Sequence, residues 1–292
     1  MSSTRLILIT LFSMLCFAGN SVLCRLALRQ TAIDAASFTA IRLLSGALML
    51  SLLVYFRRRA ATAAAGGQGG CRGIGGNWPS ACALFAYAGG FSFAYLSLPT
   101  GTGALLLFGA VQATMILAGL WAGERLGARQ VSGLSLAVAG LVAIMLPGLS
   151  APPLGGAVLM LSAGIAWGVY SLRGRGVADP LGATAGNFMR AAPLSVLLCV
   201  ALLVRQQLDG PGVLYAVLSG AIASGIGYAV WYAALRGLNA TRAASVQLSV
   251  PVIAALAGVL FLHEPISLRL LLASVAILGG IALVVLDRRP AA

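Results

Sequence analysis

Long apolar stretches alternate with short polar corners along the whole chain, and ten of them approach the ~20 residues that cross a hydrocarbon core of about 30 Å. The first five run over 6–28, 35–56, 78–98, 103–122 and 131–146. The second five run over 155–172, 181–204, 213–235, 243–262 and 270–286. Between them, only 57–77 is long enough to be a true loop, and its Ala/Gly-rich run, 60–76, predicts a flexible tether. The prolines of 147–153 predict the hinge between two halves. A signal peptide would end near Cys16 to Gly19, yet the first apolar stretch continues to Leu28 and meets Arg25 only near its far end, so a retained span is expected.

The pattern repeats. Residues 92–146 overlay 232–286 without a gap at an offset of 140, pairing Ala94 with Ala234, Ala104 with Ala244, Leu120 with Leu260, Glu124 with Glu264, Arg129 with Arg269, Gly140 with Gly280 and Leu146 with Leu286. A fainter pair sets Phe38 to Arg42 beside Asn187 to Arg190. The predicted halves are 1–146 and 147–292, with five spans each. An odd number of spans makes the second copy enter the membrane from the opposite side. The expected fold is therefore an all-α polytopic membrane protein of ten transmembrane helices arranged as two inverted five-helix repeats.

Composition agrees on the solvent: 60% of residues are hydrophobic, 9% are charged and mean hydropathy is +0.99. Six acidic side chains could not help dress a soluble domain of 292 residues. Every basic residue is Arg, and the arginines sit at the ends of apolar stretches rather than in a patch, which argues against nucleic acid as a partner. With the N-terminus inside, thirteen of the nineteen fall on the cytoplasmic side, against Arg29, Arg205 and Arg269, with Arg25 close by, on the other. Both termini are expected in the cytoplasm, in a plasma membrane that is the inner membrane if the source is bacterial.

The motifs then carry a resemblance. Glu124-Arg125-Leu126 with Gly133 and Gly140 in copy one, and Pro251, His263-Glu264-Pro265-Ile266 and Gly279-Gly280 in copy two, resemble the paired EamA repeats of the drug/metabolite transporter superfamily. Aromatic clusters and chain size look most like its YddG-type amino-acid exporters. The resemblance implies a ten-helix exporting carrier whose central cavity is lined by helices one, three, four, six, eight and nine.

Tyr87, Phe91 and Tyr95 recur at i, i+4 and i+8, which places three rings on one face of the third span. The eighth span carries Tyr228, Trp231 and Tyr232, and at the offset of 140 Phe91 and Trp231 are equivalent, so rings of the two halves are expected to face each other. Trp167, flanked by Gly164 and Gly168, adds a ring from span six. The competing reading is packing or interfacial belt, which is expected for Trp78 and Trp121 at span ends. Amides complete the substrate-binding set: Asn20, Gln112 and Gln247, with Asn187 and Ser249 as further polar groups. Gln247 stands out because Pro251, four residues on, lacks the N–H that would bond the Gln247 carbonyl. Freed carbonyls and aromatic faces suit amphipathic amino acids or organic cations better than sugar phosphates.

Four charges are expected to be structural. Glu124 and Glu264 end apolar spans beside Arg125, Arg129 and Arg269, the setting of a helix-end ion pair. Arg42 and Arg190 lie within spans, and either bond helix-end carbonyls or grip a substrate anion; recurrence in both halves favours the first. Asp34, Asp179 and Asp209 fall in loops, so no carboxylate is expected at mid-membrane. Proton- and sodium-coupled carriers usually keep one there, which predicts a facilitator or exchanger running down its substrate gradient.

No nucleotide loop, zinc set or catalytic pair occurs in the spans, so neither an enzyme nor a cofactor or metal is expected. Five cysteines without C-x-x-C read as packing residues. The expected partners are a small-molecule substrate and membrane lipid. A monomer is expected, with Gly119 and Gly123 leaving internal packing and a dimer both open.

Overall fold

The computed structural model describes residues 2–64, 75–123, 127–146, 151–202, 207–238 and 240–286. Glu124 and Arg125, most of the expected tether with Cys71 and Arg72, Pro147 of the expected hinge, Arg205, and Asp287 to Arg289 lie outside the described residues. The chain is helical nearly throughout: α1 (Ser3–Gln30), α2 (Ala35–Ala64), α3 (Trp78–Tyr95), α4 (Thr100–Trp121), α5 (Ala128–Met145), α6 (Leu154–Arg173), α7 (Pro180–Ala201), α8 (Gly210–Val217), α9 (Gly227–Leu235), α10 (Ala240–Gln247), α11 (Ser249–Leu262) and α12 (Leu268–Leu286). A π-helical stretch, Leu218–Ile226, joins α8 to α9 in one rod, and α10 and α11 form another interrupted at Leu248. Among the described residues these form ten rods, one for each of the ten apolar stretches.

Local chemistry sets the starts of these helices. Asn77 accepts from the Ser80 N–H at 2.9 Å ahead of Pro79, and Asp179 accepts from the Gly182 N–H at 3.0 Å ahead of Pro180. Among the described residues, nine rods are long and apolar enough to cross a membrane. The tenth, α3, is not among them. Tyr87, Tyr95, two serines and the Gly89-Gly90 pair lower its hydropathy, and much of the helix is buried by other helices instead of lipid. Outward faces are apolar, with Leu48, Leu260, Leu272 and Val275 exposed where lipid tails would lie, and Trp78 and Trp121 are exposed at span ends.

Equivalent helices of the two halves run antiparallel. Asp34, ahead of α2, meets Gln207 beyond α7, while Arg57 late in α2 meets Asp179 ahead of α7. Likewise α5 crosses α12 with Gly133 against Gly280 and Gly140 against Ala276 and Ile277. The halves also interlock: α1 packs on α8, α9 and α11, and its counterpart α6 packs on α3 and α4. Each leading helix is thus seated in the opposite half. Interlocking of this kind buries the small-residue stripes that let backbones approach.

Candidate functional site

A cavity of about 730 Å³ occupies one half of the bundle's length. Its walls come from α1, α3, α4, α6, α7, the π-helical stretch with α9, and α10, with Gln130 of α5 and Val284 and Val285 of α12 at the edge. It extends from mid-bundle to the end that carries the α2–α3 and α6–α7 connections, where Asn77, Arg173, Arg175 and Pro180 line it. Arg173 donates to Ser80 Oγ at 3.1 Å and to Asn77 Oδ1 at 3.3 Å, joining α6 to the start of α3 at this mouth. Among the described residues no carboxylate lines the cavity.

Aromatic rings dominate the wall. Trp167 lies between the halves, with ring centroids 4.7 Å from Tyr87, 5.2 Å from Tyr170 and 5.5 Å from Tyr228, the last two stacked. Phe17 completes the ring set, 5.6 Å from Tyr228 and 5.9 Å from Trp231. The sequence pattern placed Phe91 opposite Trp231. Instead, the contact between halves runs Tyr87–Trp167–Tyr228, because α6 nests into α3 and delivers its indole between them. Gly90 of α3 permits that nesting, since a Cβ there would press on Leu159 and Ala163, and Gly164 and Gly168 let α6 close on α4 at Ala110 and Thr114.

Polar groups punctuate the rings. Asn20 Nδ2 donates to Tyr87 Oη at 3.4 Å, and the Ser219 hydroxyl donates to Asn20 Oδ1. On the α7 side, Thr184 Oγ1 bonds Tyr232 Oη at 2.8 Å and receives a 3.3 Å bond from Tyr170 Oη. Gln112 and Gln247 both line the cavity, and the helix breaks just after Gln247, at Leu248, whose N–H donates to the Ser245 carbonyl. Pro251 explains the break, since its ring nitrogen cannot satisfy the turn before it.

The sequence-derived residues Asn20, Tyr87, Phe91, Gln112, Trp167, Tyr228, Trp231 and Gln247 thus meet around one cavity. Tyr95 does not. It is fully buried beyond the inner end, its hydroxyl donating to the Thr100 carbonyl at 3.2 Å and its ring filling the notch at Gly103. Phe17, Phe108, Tyr170 and Thr184 line the cavity without having been singled out. Spacing holds the missing signal for two of them: Phe17 precedes Asn20 by three residues and Tyr170 follows Trp167 by three, on the same helix faces.

The two intramembrane arginines part company. Arg190 donates to the carbonyls of Gly75 at 2.7 Å and Gly186 at 2.9 Å, tying α7 to the approach to α3. Arg42 reaches no carbonyl. It donates to Tyr87 Oη at 3.0 Å and lies over the Tyr87 and Phe91 rings. Arg190 thus bonds carbonyls, whereas Arg42, expected to do the same, bonds the Tyr87 hydroxyl instead; Gly220 of the π-helical stretch closes on the Arg42 backbone carbonyl and Ser45.

With this geometry in view, residues 154–286 match the EamA-like transporter family. That match covers α6 to α12, the second half of the chain. The whole chain is similar to an uncharacterized protein of Pseudomonas aeruginosa, 58% identical over 288 residues that cover 99% of this chain and 97% of the relative. A solved crystal structure superposes with a TM-score of 0.64 over 99% of this chain and 100% of its own. At 21% identity that likeness is one of fold.

The end opposite the cavity mouth is closed by a buried ion pair. Glu264 Oε1 faces Arg25 Nε at 3.3 Å, with both side chains nearly inaccessible. Arg25 Nη1 also donates to the Tyr95 carbonyl at 2.6 Å and the Leu96 carbonyl at 3.2 Å, while Glu264 Oε2 accepts from the Thr100 N–H at 2.7 Å. One pair so joins the ends of α1, α3, α4 and α11. The expected partners of Glu264 were the loop arginines. His263, at φ 54°, reverses the chain so that the Glu264 N–H bonds the Gly258 carbonyl and the carboxylate turns into the bundle toward Arg25.

Proposed function

We propose that the protein is a secondary transporter that exports small amphipathic metabolites, chiefly amino acids with aromatic or hydrophobic side chains, by alternating access. The observation that carries this reading is an aromatic-walled cavity of about 730 Å³ that reaches one end of an interlocked bundle and stops at a separate, ion-paired closure at the other. Its volume falls within the range of small-molecule sites, and stacked rings favour flat apolar side chains. The arginine distribution supports a cytoplasmic position for the open end, and on that reading the state is inward-open, ready to load an exported solute. Absence of a carboxylate from the described wall supports facilitation or exchange over ion coupling. The YddG-type branch, a bacterial inner-membrane location, cytoplasmic termini and the division at 146/147 belong to the same reading.

Counterflow tests it. Purified protein in liposomes loaded with unlabelled phenylalanine should accumulate labelled phenylalanine saturably and without an imposed proton gradient. Linear, unsaturable flux would indicate a channel, and accumulation of aromatic amines with no response to amino acids would indicate an organic-cation exporter.

A further inference from the structure

The polar patch at the cavity's inner end presents donors. Asn20 Oδ1 is occupied by the Ser219 hydroxyl, and Tyr87 Oη already accepts from Asn20 Nδ2 and from Arg42 Nη2. What the patch has left to offer a solute is the Tyr87 O–H proton and the second Asn20 N–H. Ser224 Oγ, buried and without a hydrogen-bond partner, belongs to the same cavity wall.

Arg42 lies immediately behind this patch. Its side chain is 2% exposed, Nε and Nη1 have no hydrogen-bond partner, and Cζ stands 5.2 Å from the Tyr87 centroid and 4.8 Å from the Phe91 centroid. The described carboxylates are elsewhere: Glu264 faces Arg25, Asp179 faces Arg57, Asp34 serves backbone amides, and Asp209 precedes α8 beside Gly212, Thr31 and Ile33. A guanidinium buried in that way is strongly unfavourable unless an anion comes near it, and ring faces compensate only in part. The counterpart Arg190 is satisfied by two carbonyls, so want of a partner is particular to Arg42.

We propose that the cavity selects solutes bearing a carboxylate, docked on the Tyr87 hydroxyl and the Asn20 amide, with Arg42 supplying the balancing charge through Tyr87. Arg42 is then a positioning residue, since Tyr87 and not Arg42 touches the solute. The apolar remainder of the solute rests against Trp167 and Tyr228. This specificity rests on the cavity being the solute site of the function proposed above, and it excludes aromatic amines that lack the acid.

Isothermal titration calorimetry on the purified full chain in detergent, with phenylalanine, 3-phenylpropionate, their methyl esters and phenethylamine, tests it. Each acid that binds should do so at least about tenfold more tightly than its ester, the scale of a charge-assisted hydrogen bond. Arg42→Gln should bring that ratio close to one and Arg42→Lys should restore much of it. Tyr87→Phe, which keeps the ring, should lower it too and decides the matter if Arg42→Gln does not fold. Equal binding of acid and ester by the unaltered protein, a ratio unmoved by these variants, or no binding by either acid would overturn the proposal. Ester-blind binding alongside saturable phenylalanine counterflow would sink this inference alone. Acid-selective binding of 3-phenylpropionate without amino-acid counterflow would sink the amino-acid reading alone.

Discussion

Asp34 and Asp179 occupy matching places in the two halves, and each holds both its own helix and the other's. Asp34 Oδ1 accepts from the Ala36 and Ser37 N–H groups at the start of α2, while Oδ2 accepts from Gln207 beyond the end of α7. Asp179 Oδ1 accepts from Gly182 at the start of α7, while Oδ2 meets Arg57 near the end of α2 at 2.6 Å. Two antiparallel helices are clasped at both ends by carboxylates outside the spans. Charge at a helix start is favourable in its own right, so each clasp also acts on the helix dipole.

Acid should loosen these clasps. Partial burial pushes the Asp34 carboxyl up, but hydrogen bonds from Ser37, Gln207 and Ala36 outweigh it and hold its pKa below the ordinary value. The Arg57 hydrogen bond does most to lower that of Asp179. A folded-state pKa below the unfolded one gives stability that is present above the unfolded value, near ~4 for a carboxylate, and is lost as pH falls through the folded value. Thermal unfolding in detergent should therefore drop more steeply below about pH 4 for the unaltered protein than for Asp34→Asn. Because the Arg57–Asp179 pair is partly exposed, Arg57→Ala should cost no more than about 1 kcal/mol.

The crossing of α5 and α12 makes a sharper demand. A Cβ at Gly133 would sit 2.6 Å from the Gly280 carbonyl oxygen, and one at Gly280 would meet Gly133 backbone in return. Backbone cannot rotate aside, so the helices would have to separate. Gly133→Val or Gly280→Val should each destabilise by about 1–3 kcal/mol or more, and the double variant by less than the sum, since one displacement relieves both. Thermal unfolding of the three variants checks this, and full additivity would contradict a shared contact.

Much of this was legible in the chain. Ten apolar stretches and a gapless offset foretold the rods, and antiparallel equivalents follow from an odd number of spans per half. Helix-face spacing brought Tyr87 and Phe91 to the cavity and misplaced Tyr95, because the face continues through the full length of α3 while the cavity ends at mid-bundle. Glu264 was legible as structural, but its partner 239 residues away was not, since the reversal at His263 decides where the carboxylate points. Arg42 and Arg190 look alike in hydropathy. Only the reach to Gly75 and Gly186 carbonyls separates them.

The Arg25–Glu264 pair should be costly to break and tolerant of an isostere. Glu264→Ala leaves the Arg25 guanidinium buried without its anion and the Thr100 N–H without its acceptor, a loss of about 3–5 kcal/mol. Glu264→Gln keeps an oxygen for Thr100 and one acceptor near Arg25, so it should retain a substantial part of that. If the pair closes the far end of the pathway, Glu264→Ala should also let a water-soluble thiol reagent reach a cysteine placed at Ser21 from the end opposite the cavity mouth. Protection equal to that of Glu264→Gln would show that other packing makes the closure.

Trp167 and Tyr95 offer a contrast that separates cavity from scaffold. Trp167 touches Tyr87, Tyr170 and Tyr228 and fronts the cavity, so Trp167→Ala should remove a stacking surface worth about 1 kcal/mol beyond simple burial and raise the apparent KM for aromatic substrates about fivefold or more. Trp167→Phe should recover most of that loss. Tyr95→Phe gives up the buried bond from its hydroxyl to the Thr100 carbonyl, about 1 kcal/mol of stability, at a residue outside the cavity wall. Its KM should stay near that of the unaltered protein while its unfolding temperature falls. Saturable uptake and thermal unfolding on the same preparations measure both quantities, and a Tyr95→Phe variant with shifted KM and unchanged stability would move the substrate site toward the Arg25–Glu264 end.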